Sequence, residues 1–273
     1  MLNRQKKRKL KKQRNKFCSL NGLSVKQADR FYVTRYRLEK TMLHIGERLH
    51  TAASMVPPCN TMADIGTDHG YLPAYLILSG RCRQVIASDI AEGPCQAAAE
   101  TRNKYNLRST MEIRTAPGLQ GLRTGEAEAV VIAGMGGATI VSILDEAPEI
   151  AASVRTFVLQ PMNAANLLRR WLAQHEYRIA EEALCRENGH IYIVIKAVHA
   201  ERRQELSSLE AELGPCILKK KPDLWQEFVK DKAEHYRRLL RQMEISAAAM
   251  NSDKYKYLKN LLGQVDGLIN KSV

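Results

Sequence analysis

The sequence predicts an α/β protein with a mostly parallel sheet that ends in an antiparallel strand. Between residues 61 and 198, apolar segments that read as buried strands alternate with segments that read as helices. Such alternation is typical of a parallel sheet covered on both faces. The last two strand segments are joined by Asn188-Gly189, a pair that favours a hairpin turn.

The elements follow in order along the chain. Met42, Ile45, Leu49 and Val56 share one helical face, which predicts a helix over 42–56 that ends at Pro57-Pro58. The predicted strands are 61–65, 84–89, 111–115, 128–133, 155–160, 178–185 and 191–198, with helices at 71–79, 93–106, 136–145 and 163–175 between them. Segments 223–244 and 252–270 carry narrow apolar seams, which predict a helical hairpin or short coiled coil.

Charge and length indicate three regions. The chain has 273 residues and a net charge of +13, and 14 of its 42 Lys and Arg residues lie in 1–40, beside two acids. We expect 1–40 to be a flexible basic extension, either a mobile arm on phosphates or a solubilising tail. Residues 41–199 are expected to form the α/β domain and 200–273 a helical domain.

Composition excludes several classes of protein. No apolar run reaches the roughly 18 residues of a membrane span, and no apolar segment follows the basic amino terminus, so we expect neither a membrane anchor nor a secretory signal. The six cysteines contain no Cys-x-x-Cys pair and do not cluster with histidines. We therefore expect a cytoplasmic protein without a metal, and a monomer rather than a stable oligomer.

An acidic, glycine-containing turn follows the first predicted strand. It reads Asp64-x-Gly66-x-Asp68-x-Gly70 and leads directly into a helical segment, the geometry in which backbone N–H groups receive an anionic group. We expect Asp64 to satisfy N–H groups of the turn and to approach an amino group of the ligand. Asp89 ends the next strand 25 residues later, a spacing that favours hydrogen bonds to ribose hydroxyls. A tight turn without a ligand is the alternative.

Four motifs in order make the interpretation specific. They are Ala63-Asp64-Ile65-Gly66-Thr67-Asp68-His69-Gly70-Tyr71-Leu72-Pro73, Ser88-Asp89-Ile90-x-x-Gly93-Pro94, Ile132-Ala133-Gly134-Met135-Gly136-Gly137 and Leu159-Gln160-Pro161-Met162. Over about 44–199 the chain resembles the bacterial tRNA (adenine-22-N1)-methyltransferase family, the TrmK type. The resemblance implies a Rossmann-like class I methyltransferase domain with a seven-stranded sheet, followed by a coiled-coil domain. It also implies transfer of a methyl group from S-adenosylmethionine to N1 of adenosine 22 in tRNA.

The motifs, the ends of the predicted strands and the basic clusters outside 1–40 supply three groups of site residues. Asp68 and His69 are the candidate catalytic residues. The candidate cofactor-binding residues are Asp64, Gly66, Asp68, Gly70, Tyr71, Asp89, Ile90, Gly118, Leu119, Ala133, Gly134, Met135 and Gly136. The candidate substrate-binding residues are Gln160, Pro161, Asn163, Arg169, Arg170, Lys219, Lys220, Lys221, Arg237, Arg238 and Arg241.

Several residues have a structural alternative. Asp68 is either a carboxylate that stabilises the cationic 1-methyladenine product or the N-cap of the following helix. His69 either touches the substrate base or is a packing residue. Gln160 either lines the adenine pocket through its amide or ends its strand. Each basic side chain, taken singly, also reads as part of a solvated helix face.

The chain departs from the family pattern at two motifs. Pro117 stands where the family usually has Asp in Gly-Asp-Gly-Leu, and Met162 stands where Asn often follows Gln-Pro, with Asn163 one place later. These departures support an alternative function, a cofactor- or RNA-binding protein without catalysis. A nicotinamide-dependent oxidoreductase is a third interpretation, disfavoured by Asp68 in the glycine turn and by the terminal hairpin.

Overall fold

The computed structural model describes residues 43–270, which contain a seven-stranded sheet in the order β3-β2-β1-β4-β5-β7-β6. Strand β7 is antiparallel to both of its neighbours, and the other pairings are parallel. The predicted fold class is therefore confirmed. The strands are β1 (Cys59–Ile65), β2 (Cys82–Asp89), β3 (Met111–Thr115), β4 (Ala129–Met135), β5 (Thr156–Pro161), β6 (Tyr177–Glu187) and β7 (His190–His199).

Helices connect the strands and continue after the last one. Those before β6 are α1 (Glu47–Met55), α2 (Tyr71–Leu78), α3 (Glu92–Lys104), α4 (Gly137–Asp145), α5 (Pro148–Ser153) and α6 (Ala165–Gln174), with a 3-10 helix at Gly118–Gly121. Those after β7 are α7 (Ser208–Leu213), α8 (Pro215–Lys220), α9 (Trp225–Met243), α10 (Ala247–Met250) and α11 (Asp253–Asn270). The long predicted helices are confirmed, but the short helices α5, α7, α8 and α10 were not predicted, because four to six residues carry no measurable periodicity.

The two faces of the sheet pack against different helices. Met62 and Val85 contribute to a core with α1 and α2 on one face. Ile65 and Phe157 contribute to a core with α4 and α6 on the opposite face. Because side chains alternate along a strand, this two-sided burial explains why the strand sequences are almost continuously apolar. The hairpin between β6 and β7 turns at Asn188 and Gly189, whose φ angles of 49° and 79° fit the predicted turn.

The helices after β7 extend the second core. Trp225 and Phe228 of α9 belong to the same buried cluster as Ile193 of the sheet. Helices α9 and α11 run antiparallel, since Arg237 pairs with Asp266 near one end while Glu244 pairs with Tyr255 near the other. The predicted pairing of two long helices is confirmed, and the domain boundary near residue 200 stays a prediction.

The predicted extension, residues 1–40, lies outside the described residues. In the described part of the chain, no helix combines the length and the apolar character needed to cross a membrane.

Candidate active site

A cleft opens at the carboxyl ends of β1, β2 and β4. The sheet grows outward in both directions from the β1–β4 pair, and open α/β sheets bind ligands in the crevice at such a switch point. The cavity there measures about 360 Å³. It is lined by Arg48, Leu49, Asp64, Gly66, Thr67, Asp68, His69, Tyr71, Leu72, Asp89, Ala133, Gly134 and Met135.

The turn after β1 is fixed by the neighbouring strand. The N–H groups of Gly66 and Thr67 donate to the carbonyl of Ser88 at 2.9 and 3.0 Å. Gly66 and Gly70 have φ angles of 77° and 66°, a conformation that favours glycine. A Cβ atom on Gly66 would also collide with the side chain of Met135. Gly66 therefore lets the turn lie close to the carboxyl end of β4.

Asp64 is a buried carboxylate, only 4% exposed, on the floor of the cleft. Its Oδ2 accepts a hydrogen bond from the hydroxyl of Thr67 at 2.8 Å. The prediction that Asp64 satisfies N–H groups of the turn is wrong, because those groups donate to Ser88 and Asp89. Burial raises the pKa of Asp64 to about 7, and the negative charge of Asp89 adds to the rise. A cationic ligand group would favour the charged form.

Asp89 ends β2 with its carboxylate at the edge of the cavity. Its Oδ1 accepts from the N–H of Ala91 at 3.1 Å, and its Oδ2 accepts from the N–H of Asp68 at 3.4 Å. A carboxylate has about four lone-pair sites, so these two bonds orient Asp89 and leave capacity for a ligand hydroxyl. The predicted ribose contact fits this geometry.

Asp68, His69 and Tyr71 form the rim of the cleft. Asp68 has a φ of 51° and its side chain is 74% exposed. The N-cap alternative for Asp68 is wrong, because Gly70 occupies the N-cap of α2 and no side chain caps that helix. His69 stacks on Tyr71 with 5.4 Å between ring centroids, and its Nε2 lies 3.7 Å from Oδ1 of Asp68.

The carboxyl end of β4 and the start of α4 meet the loop after β5. Gly134 has a φ of 83°, and the register between β4 and β5 shifts at this residue. The N–H of Met162 donates to the carbonyl of Met135 at 2.8 Å, and the N–H of Gly137 donates to the carbonyl of Asn163 at 3.0 Å. The candidate residues of these two motifs are thus brought together beside the cavity.

Gln160 does not reach the cavity. Its side chain is fully buried, and its Oε1 accepts from Arg48 Nη1 at 2.7 Å and from the N–H of Gly134 at 3.0 Å. Its Nε2 donates to the carbonyl of Pro161 at 3.1 Å. The prediction that the Gln160 amide contacts the substrate base is therefore wrong, because its hydrogen-bonding capacity is used inside the protein and Pro161 is buried as well.

Four cavity residues were not singled out as candidates. Arg48 and Leu49 come from α1, and Thr67 and Leu72 come from the turn and α2. Thr67 and Leu72 lie inside the first motif, so their position in the sequence was a usable signal. Arg48 precedes all the motifs, and nothing in its local sequence indicates that α1 packs beside the carboxyl ends of the strands.

Other candidate cofactor residues lie outside the cavity lining. Gly118 begins the 3-10 helix with a φ of 51°, and Leu119 after it is fully buried. Neither residue lines the cavity, and their contact with a cofactor stays a prediction. Ile90 is 72% exposed immediately after Asp89. Gly70 and Gly136 flank lining residues without lining the cavity themselves.

The basic candidates divide by exposure. Arg169 is fully buried and pairs with Glu182, so its predicted contact with phosphate is wrong. Arg170 is half-buried, and Arg237 is half-buried and paired with Asp266. Lys219 and Lys220 line a separate groove of about 680 Å³ between β6 and α8. The exposed candidates are Lys219, Lys220, Lys221, Arg238 and Arg241.

The described residues contain no candidate metal site. Within 43–270, no three His, Cys, Asp or Glu side chains are grouped so that they could hold a metal ion. The expectation of a metal-free protein stays a prediction for the whole chain.

Fold and site together define a class of protein. An antiparallel β7 inserted between β5 and β6, a glycine turn after β1 and an acid at the end of β2 are the architecture of class I methyltransferases. The dinucleotide-binding interpretation fits less well, since its fingerprint requires a small residue where Asp68 stands.

Comparison with known proteins narrows the class to a family. The family model described as tRNA (adenine(22)-N(1))-methyltransferase, TrmK, matches residues 62–267. The tRNA (adenine(22)-N(1))-methyltransferase of Bacillus subtilis (strain 168) is 32% identical over 228 residues, which cover 82% of this chain and 95% of the relative. The chain therefore belongs to the tRNA (adenine(22)-N(1))-methyltransferase family, and the resemblance seen in its motifs is confirmed.

Solved structures agree with this assignment. The crystal structure of B. subtilis TrmK has a TM-score of 0.74 and 31% identity, covering 83% of this chain and 99% of that chain. The putative tRNA (m1A22) methyltransferase of Streptococcus pneumoniae, in complex with S-adenosyl-L-methionine, has a TM-score of 0.71 and 30% identity, covering 80% of this chain and 100% of that chain.

Proposed function

We propose that the protein transfers a methyl group from S-adenosylmethionine to N1 of an adenosine in tRNA, adenosine 22 by its family. The observation that carries the proposal is the cavity in which the glycine turn, Asp64 and Asp89 meet, in a chain that matches the family model over 62–267. The S. pneumoniae relative was solved with S-adenosyl-L-methionine, which supports the same cofactor here.

The cavity fits such a cofactor in charge and in hydrogen-bonding groups. The ammonium and sulfonium groups of S-adenosylmethionine are cations, and Asp64 is a buried carboxylate whose pKa is raised to about 7. Asp89 is oriented by backbone donors to accept from ribose hydroxyls. Gly66 and Gly134 expose backbone at the cavity wall. When bound, the cofactor supplies a methyl group activated by the sulfonium.

Methyl transfer to adenine N1 needs little from the protein besides positioning. N1 of adenine carries an available lone pair, so no base has to remove a proton before the attack. Positioning alone can contribute roughly 7–11 kcal/mol. This explains why the cleft holds no triad of nucleophile, base and orienting acid among its lining residues.

Asp68 is the proposed catalytic carboxylate. It stands exposed at the rim of the cavity, beside His69, where it can stabilise the positive charge that the adenine ring gains on methylation. His69, stacked on Tyr71, is the proposed contact with the base. Asp68→Ala should lower kcat without changing the affinity for S-adenosylhomocysteine. Undiminished turnover would remove the catalytic role of Asp68.

The target base has to leave its stack before N1 can react, because N1 lies on the Watson–Crick edge. Tyr71, Ile90 and Met162 are exposed apolar side chains around the cleft, 43%, 72% and 47% exposed. Apolar and aromatic side chains can replace the stacking partners of an extruded base. We infer that these side chains receive the adenosine.

We also propose two domains, the second of which contacts the tRNA backbone. Residues 41–199 form the methyltransferase domain, and 200–273 form a helical domain that contacts the tRNA backbone through exposed cations. These are Lys219, Lys220, Lys221, Arg238 and Arg241, with Arg170 and the half-buried Arg237 as further candidates. The protein acts as a cytoplasmic monomer without a metal. No structural observation favours the non-catalytic alternative over the enzyme.

The decisive experiment maps the product. Unmodified tRNA is incubated with the protein and S-adenosylmethionine, and the methylated nucleotide is located by nuclease digestion and mass spectrometry. We expect 1-methyladenosine at position 22, and Asp89→Ala should raise the concentration of S-adenosylmethionine needed for half-maximal rate. Cofactor binding without methylation of any tRNA would instead support the non-catalytic alternative.

A further inference from the structure

Arg48 links helix α1 to three strands of the sheet. Its Nη1 donates to Oε1 of Gln160 on β5 at 2.7 Å, and its Nε lies 3.4 Å from Oε2 of Glu187 at the end of β6. Its guanidinium carbon lies 5.9 Å from the ring centroid of Tyr192 on β7. These contacts hold Arg48 in one place, at the wall of the cofactor cavity.

Gln160 connects Arg48 to the carboxyl end of β4. The same Oε1 atom that accepts from Arg48 also accepts the N–H of Gly134 at 3.0 Å. Gly134 has a φ of 83° and lies where the pairing of β4 with β5 loses its regular register. Its N–H group therefore relies on a side chain, and that side chain is Gln160.

Hydrogen bonds fix both the oxygen and the nitrogen of the Gln160 side-chain amide. Nε2 of Gln160 donates to the carbonyl of Pro161 at 3.1 Å. A rotation that exchanged the amide nitrogen and oxygen would turn the NH2 group toward Nη1 of Arg48 and the N–H of Gly134, which are themselves donors. Gln160 is fully buried, and unpaired donors in such a place are costly. Arg48 thereby selects the orientation of the amide that holds Gly134.

We propose that Arg48 and Gln160 are positioning residues for methyl transfer, acting through the backbone of Gly134 in the irregular carboxyl end of β4, which borders the cofactor cavity. The inference rests on the proposed function. Arg48 aligns the amide of Gln160, and the amide fixes Gly134 beside the cavity. Neither side chain has to touch the tRNA base for the alignment of the reacting atoms to depend on it.

Two substitutions of Gln160 separate positioning from packing. Gln160→Met keeps the side-chain length but removes the acceptor for Gly134, and we expect kcat for methyl transfer to fall about 10- to 100-fold. Gln160→Glu keeps an acceptor for both Gly134 and Arg48 and loses only the donor to the carbonyl of Pro161, so we expect its kcat to lie at least about threefold above that of Gln160→Met. The affinity for S-adenosylhomocysteine, measured by calorimetry, and KM for tRNA should change less than threefold in both variants.

A double-mutant cycle tests whether Arg48 acts through Gln160. We expect Arg48→Met to lower kcat about as much as Gln160→Met, and the double variant to be no worse than the poorer single variant, because both remove one linkage. Arg83→Met is the matched control, since Arg83 is exposed at the amino end of β2, away from the cavity.

The outcomes are distinguishable. If the losses of kcat multiplied in the double variant, Arg48 would not act through Gln160, and the proposal would be overturned. A Gln160→Met enzyme with normal kcat would overturn it as well. A loss confined to melting temperature or to cofactor affinity would show that the two residues only support the fold. If the wild-type protein methylates no tRNA, the proposed function fails first, whereas an active wild type with unaffected variants rejects this inference alone.

Discussion

The guanidinium of Arg169 and the carboxylate of Glu182 form an ion pair of 2.7 Å in which neither side chain is exposed to solvent. Nη1 of Arg169 also donates to the carbonyls of Ala211 and Glu212, at 2.9 and 3.1 Å. Oε2 of Glu182 accepts from the N–H of Cys216 at 2.9 Å. The pair therefore ties α6 and β6 to the α7–α8 segment.

Arg169→Met should lower the free energy of unfolding by about 3–5 kcal/mol, because it leaves the buried carboxylate of Glu182 without its partner. Urea denaturation measures this change. Arg170→Met on the same helix is the control, since Arg170 is only half-buried, and it should change stability by less than about 1 kcal/mol. Equal effects of the two variants would contradict the importance of the ion pair.

The stability of the ligand-free protein should depend on pH through Asp64. Its pKa rises from 3.8 to about 7 on burial, so between these values the folded state retains a proton that the unfolded chain releases. The free energy of unfolding therefore falls as pH rises from about 4 to 7, by up to about 1.4 kcal/mol per pH unit from this group. Asp64→Asn should remove this contribution, and urea denaturation at pH 5, 6, 7 and 8 measures it. Parallel pH profiles for variant and wild type would refute the prediction.

Gly137→Ala should separate the amino end of α4 from the loop after β5. A Cβ atom on Gly137 would collide with the backbone carbonyl of Ala164 and would lie 2.8 Å from that of Asn163. We expect kcat/KM for tRNA methylation to fall at least about tenfold, since roughly 1 Å of misplacement can lower a rate by about 100-fold. Gly93→Ala, in the first turn of α3, adds a Cβ atom that would meet no neighbouring group within 4 Å, and it should retain the wild-type rate.

Affinity for tRNA should fall steeply as salt is added. Arg238 and Arg241 are exposed on α9, and each phosphate contact in a duplex contributes about 0.9 to the slope of log K against log salt concentration. Arg238→Gln with Arg241→Gln should weaken binding and make the slope shallower by about 1 to 2. The control is Arg155→Gln, whose side chain is 79% exposed beside the amino end of β5. Filter binding at several salt concentrations gives the slope, and an unchanged slope would remove α9 from the RNA-binding surface.

The cofactor cavity was predictable because its signals are local. Asp64, Gly66 and Asp89 stand at the ends of apolar runs, and parallel strands bring such ends to one edge of a sheet. The same motif predicted two alternative roles for Asp68, a catalytic carboxylate and a helix N-cap. Only the structure excludes the N-cap, because Gly70 occupies that position before α2.

The errors concern residues whose partners lie elsewhere in the chain. Arg169-Arg170 reads as a basic helix face, but Arg169 meets Glu182 on a strand and carbonyls around residue 211. Gln160 reads as a residue of the adenine pocket, yet its amide is occupied by Arg48, 112 positions earlier. Such pairings follow from packing of the whole sheet, and no spacing rule within one motif contains them.

The anchoring of Arg48 by Glu187 also has a consequence for biosynthesis. Glu187 is the last residue of β6, at the hairpin tip. A ribosome that has made the first 165 residues has already supplied every glycine motif, but the carboxylate that steadies Arg48 is still to be translated. The nascent chain thus acquires its complete pocket only after the hairpin emerges from the exit tunnel, so a truncated product ending before β6 carries the family signature without a finished site.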